Sequence, residues 1–119
     1  MAVMATIELA LGQLIERLVA ALGLSAGELA QALGVNTRSI ERWRTGETHP
    51  QRDARQRLGE LEALVEHLEQ TFATPEARRA WLRDASRYLG GLTPAEALRA
   101  GRIDRVEAAL EALDSGIFV

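Results

Sequence analysis

Residues 26–45 read A-G-E-L-A-Q-A-L-G-V-N-T-R-S-I-E-R-W-R-T, and this stretch decides the fold. Leu29, Leu33, Val35, Ile40 and Trp43 are apolar at helical spacing, and Ala30 is small where two helices must approach closely. Gly34, four residues after Ala30, suits a tight turn because glycine enters left-handed backbone without steric penalty. Two short helices crossed about such a turn make a helix-turn-helix. Ser25 with Glu28 forms a capping-box pattern for the first helix, and Asn36 is placed to cap the second.

Projection of the second helix at about 100° per residue sets Ile40 and Trp43 toward the core. Thr37, Arg38, Glu41, Arg42 and Thr45 fall on the opposite face, with Arg44 at its edge, and Arg44 is expected to contact DNA along with Asn36, Thr37, Arg38 and Arg42. A short face of this kind fits a DNA major groove. Arg38 and Arg42 are one turn apart, and guanidinium is the group that makes two-pronged contact with guanine. Asn36 and Thr37, at the positive end of the helix, are placed to meet a phosphate. Glu41 would repel phosphates, so it must face a cytosine amine or pair with an arginine. Arg52, Arg55 and Arg57 lie just beyond, where they either contact the DNA backbone or balance the acidic helix that follows.

Outward from this unit the chain reads as helices and short turns. Ile7, Leu11, Leu14, Ile15, Leu18 and Leu22 predict a first helix ending at Gly23. Gly46 and Pro50 bracket a loop, and a long helix from Arg52 to about Phe72 carries Leu58, Leu61, Leu64, Val65 and Leu68. Its outer face is acidic (Glu60, Glu62, Glu66, Glu69), and His67 reads as a surface partner of Glu66. Thr74-Pro75-Glu76 starts a helix expected to reach about Leu89, with Trp81 in the core and Gly90-Gly91 as its end. Thr93-Pro94-Ala95-Glu96 starts another, stopped by Gly101. A last helix from about Arg102 to Asp114 turns Ile103, Val106, Leu110 and Leu113 inward. Gly116 then releases the apolar run Ile117-Phe118-Val119. The expected class is all-α: a helix-turn-helix bundle over residues 1–58 joined to a small helical domain over residues 59–119.

Composition agrees and excludes several functions. The chain has 119 residues, 47% hydrophobic and 26% charged, with 20 Ala, 18 Leu and only 4% aromatics. It has no cysteine, so disulfides and thiolate metal sites are excluded. His49 and His67 lack metal-ligand spacing, and no glycine-rich phosphate loop follows a strand. No enzyme activity, metal or cofactor is therefore expected. Leu9 to Leu24 is interrupted by Gln13, Glu16 and Arg17, which rules out a membrane span there. No basic start followed by an apolar run is visible, and a cytoplasmic location is expected. All 14 basic residues are Arg. Residues 36–57 hold six of them against three acids, a local +3 within a chain of net charge −3. One basic island in an acidic chain suits a local polyanion site such as operator DNA. Few phosphate contacts per chain imply a dimer reading two half-sites.

Residues 81–119 carry Trp81-Leu82, the run Leu92-Thr93-Pro94-Ala95-Glu96-Ala97-Leu98, then Gly101, Val106, Leu110 and Gly116-Ile117-Phe118-Val119. This resembles the toxin-binding domain of the Xre/MbcA/ParS antitoxin family, which also places an Xre-like helix-turn-helix ahead of it. The resemblance implies a type II antitoxin whose partner is a RES-domain toxin, an enzyme that consumes NAD⁺. It implies that Gly116, Ile117, Phe118 and Val119 cover the toxin's cleft, in a homodimer or a higher hetero-oligomer with the toxin. The residues are compatible with this: an apolar tip followed by a carboxylate could occupy a site built for a pyrophosphate. Arg87 and Tyr88 are of the types favoured at interface centres. Two other readings stay open. One is a stand-alone transcription regulator whose C-terminal half only dimerises. The other is a protein-interaction module that no longer binds DNA.

Overall fold

The computed structural model describes the backbone of residues 2–116 and the side chains of residues 10–116. Ile117, Phe118 and Val119, expected to contact a partner, lie outside the described residues. The described chain folds as α1 (Ala2–Leu22), α2 (Ala26–Leu33), α3 (Thr37–Arg44), α4 (Arg52–Thr71), α5 (Pro75–Leu82), a 3-10 turn (Arg87–Leu89), α6 (Pro94–Arg99) and α7 (Ile103–Asp114). It contains no strand.

Local chemistry sets most of these boundaries. At the start of α2 the Glu28 N–H donates to Ser25 Oγ at 3.1 Å, and the Ser25 N–H donates to Glu28 Oε1 at 3.0 Å. Thr93 and Glu96 repeat this reciprocal cap at α6, at 2.9 and 3.0 Å. Each cap satisfies two backbone donors that the first helical turn leaves open. Asn36 caps α3 by accepting from the Ser39 N–H at 2.9 Å. Pro75 and Pro94 occupy first-turn positions, where a missing N–H costs nothing.

One boundary differs from the sequence expectation. The helix begun at Pro75 stops at Leu82 rather than near Leu89. The chain instead closes on itself: the Ser86 N–H donates to the Leu92 carbonyl at 3.0 Å, and the Gly91 N–H returns to the Ser86 carbonyl at 2.9 Å. Ser86 Oγ also accepts from the Tyr88 N–H. These bonds satisfy the backbone without continuing the helix, and they still bury Leu89.

A single apolar core runs through the chain. Ile15, Leu18 and Leu22 of α1, Leu29 and Leu33 of α2, and Ile40 and Trp43 of α3 are all buried within it. It continues through Leu58, Leu61, Leu64, Val65 and Leu68 of α4 to Leu82, Leu98, Ile103, Val106 and Leu110. Each fully buried Leu or Ile contributes about 1.5–3 kcal/mol of transfer free energy. α4 packs against α1 and α2 as well as α5 and α7, and α2 packs against α3, α4 and α6. Residues 58 and 59 lie inside the uninterrupted α4, and α2 forms a wall shared by both halves of the chain.

Candidate functional site

Two surfaces collect the residues singled out in the sequence. The first is the outer face of α3. Ile40 and Trp43 are buried, while Thr37, Arg38, Glu41 and Thr45 are exposed and Arg42 is half-buried. Arg38 and Arg42 therefore share an accessible face, as the helical projection requires. Arg42 Nε is 3.9 Å from Glu47 in the following turn, a loose and solvated pairing. Arg44 is placed differently. Its Nε lies 3.0 Å from Glu16 Oε1 of α1 without hydrogen-bond alignment, and its Nη1 donates to Glu41 Oε1 at 3.3 Å. The carboxylate that would repel phosphate is thus partly neutralised within α3, and Arg44 faces α1. Asn36 spends its side-chain oxygen on the Ser39 N–H and hydroxyl, so it orders the start of α3.

The turn before α3 depends on a residue that sequence reading left ambiguous. Gly34 has φ +72°, and a Cβ built there would lie 2.2 Å from Arg57 Nη1. That same guanidinium nitrogen donates to the Leu33 carbonyl at 3.0 Å. Arg57 of α4 therefore closes the C-terminal end of α2, where open carbonyls favour a cation. Arg55 donates to the Pro50 carbonyl at 3.3 Å. Both arginines brace the turns that carry α3.

The second surface lies at the far end of the chain. Trp81 is half-buried and packs against Phe72, with ring centroids 6.0 Å apart. The early end of α5 takes Arg87 and Tyr88 off the helix of Trp81 and onto the 3-10 turn, where both are exposed. Tyr88, at 41%, and Leu92, at 39%, are the large hydrophobic side chains most open to solvent among the described residues. Arg87, next to Tyr88 in the chain, lines a groove together with Trp81, Asp84, Ser86 and Leu113. The Leu113 carbonyl accepts from the Gly116 N–H at 3.1 Å, and Gly116 takes φ +72°. Leu113, which lines the groove, therefore also holds Gly116.

Cross-helix ion pairs tie the two surfaces to the same frame. Arg99 of α6 donates to Glu28 of α2 at 2.7 Å, so Glu28 serves both a helix cap and an inter-helix bridge. The Ser25 backbone bond first, then Arg99, hold its carboxyl below the ordinary value. Arg17 of α1 pairs with Glu69 of α4 at 2.7 Å. His67, expected beside Glu66, instead bridges α4 to α7: its Nδ1 meets Glu107 and its Nε2 meets Asp114. Thr71 Oγ1 adds a bond to Asp114 Oδ1 at 2.9 Å. The bridging partners are 40 to 71 residues apart in sequence, and no local spacing signals them.

Residues 67–116 match the family model for the antitoxin Xre/MbcA/ParS C-terminal toxin-binding domain. The mycobacterial cidal antitoxin MbcA of Mycobacterium tuberculosis is 34% identical over 98 residues, covering 82% of this chain and 86% of that protein. The chain belongs to the Xre/MbcA/ParS antitoxin family. A probable mycobacterial cidal antitoxin of the same organism is 32% identical over 97 residues, covering 82% of each protein. In the crystal structure of the M. tuberculosis MbcT–MbcA toxin–antitoxin complex, one chain superposes on this antitoxin with a TM-score of 0.66 and 30% identity. The match covers 92% of this antitoxin and 97% of that chain. Among the described residues of the antitoxin, no helix is long and apolar enough to cross a membrane.

Proposed function

We propose that the chain neutralises a RES-domain, NAD⁺-consuming toxin by covering its active site, and binds its own operator through the α2–turn–α3 unit. The observation that carries the first part is the likeness to a chain of a toxin–antitoxin complex along nearly its whole length. Arg87, Tyr88 and residues Gly116–Val119 are the toxin-facing candidates. In support, Arg87 and Tyr88 are exposed, and Arg87 shares a groove with Leu113, whose carbonyl holds the Gly116 N–H. The apolar run Ile117-Phe118-Val119 supplies side chains suited to a nucleotide cleft.

The second part is supported by the accessible Arg38–Arg42 face, with Asn36 and Thr37 at the helix start. Arg44 acts here mainly by bracing α3 against α1. A dimer would set two α3 helices into successive major grooves. We take residues 1–58 as the operator-facing part and residues 59–119 as the toxin-facing part, with no catalytic role for either.

The test is co-purification with the product of the adjacent gene, followed by NAD⁺ consumption with and without the antitoxin. Loss of NAD⁺ turnover in the complex is the expected result; full turnover in a stable complex would overturn active-site covering. Arg38→Ala combined with Arg42→Ala should abolish the gel shift on the operon's upstream DNA while leaving helicity and toxin binding intact. An unchanged shift would remove α3 as the reading helix.

A further inference from the structure

Asp114 is the last residue of α7 and stands two positions before Gly116. Its carboxylate is gripped from α4: His67 Nε2 meets Oδ2, while Thr71 Oγ1 donates to Oδ1 at 2.9 Å and Oδ2 at 3.1 Å. His67 Nδ1 reaches Glu107, two helical turns earlier on α7. His67 and Thr71 are one turn apart on α4, so two facing helix surfaces are locked in register. The other bonds of the last α7 turn are local. The Ser115 N–H and hydroxyl donate to the Glu111 carbonyl at 2.9 and 2.8 Å, and the Gly116 N–H donates to Leu113. A neutral imidazole has one N–H, whereas two carboxylates facing its two nitrogens require both to donate. The bridge is therefore complete only with a charged ring.

We propose that protonated His67 is a positioning residue for toxin capture, locking the final turn of α7 through Asp114 and so fixing the orientation of Gly116. This rests on the reading that residues 116–119 contact the toxin. Loss of the proton removes one donor and leaves a lone pair against a carboxylate, so the last turn is released and affinity falls.

The surroundings favour the charged ring. Partial burial opposes it, but hydrogen bonds with Asp114 and Glu107 prevail and hold the imidazole above its ordinary value of 6.5. Other charged groups near α4 are engaged elsewhere or face solvent. Arg17 of α1 pairs with Glu69, Arg78 of α5 donates to the Phe72 carbonyl, Glu28 of α2 pairs with Arg99, and Glu66 of α4 and Asp104, Arg105 and Glu111 of α7 are exposed. Glu111 lies between Glu107 and Asp114 in the chain and adds to the negative field that favours the charged ring.

The experiment measures affinity for the adjacent-gene toxin at pH 6 and pH 8.5. It uses the natural chain, His67→Gln, Asp114→Asn and a chain ending at Gly116. The natural chain should bind more tightly at pH 6, by up to on the order of tenfold per unit of pKa difference between free and clamped imidazole. His67→Gln and Asp114→Asn should bind at pH 6 as weakly as the natural chain does at pH 8.5, with the pH ratio flattened, while remaining folded at the assay temperature. Equal affinities and equal pH ratios for natural and variant chains, with weakened binding by the chain ending at Gly116, would sink the positioning role and leave the tail contact standing. Undiminished binding by the shortened chain would instead remove the tail contact, and the positioning role with it. Imidazole NMR titration of the isolated antitoxin gives a check independent of the toxin. A His67 midpoint above 6.5 that drops in Asp114→Asn is expected, and an equal midpoint in both overturns the proposal.

Discussion

Gly34 carries two constraints at one position. Its φ of +72° is left-handed, and Arg57 Nη1 fills the space where a side chain would begin. An L-residue in that conformation costs about 1–2 kcal/mol before any clash. Gly34→Ala must also displace the guanidinium that closes α2, so a loss of at least about 1–2 kcal/mol is expected. Urea denaturation measures it, and the Gly34→Ala, Arg57→Ala double variant should recover the part owed to the clash. A Gly34→Ala chain as stable as the original would show that the turn has another solution. The sequence made this glycine legible because one of its two constraints, the left-handed turn after α2, is local. Arg57 was not assigned, because its partner carbonyl lies 24 residues away.

Helices divide in the same way. Starts capped by Ser25, Asn36, Thr74 and Thr93 could be read directly, since each cap closes over three residues. The inward side of α3 was also legible, because helical period alone sorts Ile40 and Trp43 from Arg38. The early stop of α5 was hidden: Leu82 and Leu89 are spaced for one helix face, yet pairing between Ser86 and Leu92 won over helix continuation. The α4–α7 bridge was hidden for a different reason, since side chains 40 and 47 residues apart meet only through packing.

The bridge has a defined pH signature. A raised imidazole pKa gives stability that is fully present below the ordinary value of 6.5 and lost as pH rises through the folded value. Asp114, held down by His67 first and Thr71 second, gives stability present above its ordinary 3.8 and lost as pH falls through its lowered value. The difference in Tm between the natural chain and His67→Gln should therefore be greatest from about pH 4 to pH 6 and shrink by pH 8.5. A difference constant across that range would exclude titration of the bridge.

At the scale of the whole molecule, one core joins the half that presents α3 to the half that presents Tyr88 and the groove. Leu64 is fully buried in α4, midway along that core. Leu64→Ala should cost about 2–5 kcal/mol and lower a single unfolding transition. Calorimetry checks this: two separate transitions, with only one displaced, would mean that the halves fold independently.

Helix α4 is about 30 Å long at 1.5 Å per residue. Arg57 ties its first turns to α2, and His67 ties its last turns to α7. The helix is unbroken between these two ties. Whatever is seated at one end stands at a fixed distance and rotation from whatever is seated at the other. If α3 reads an operator as proposed, a toxin carried by one copy would meet a toxin carried by the next at a spacing dictated by the helical repeat of the duplex. Changing the separation of operator half-sites by half a turn would throw those two passengers onto opposite sides of the DNA.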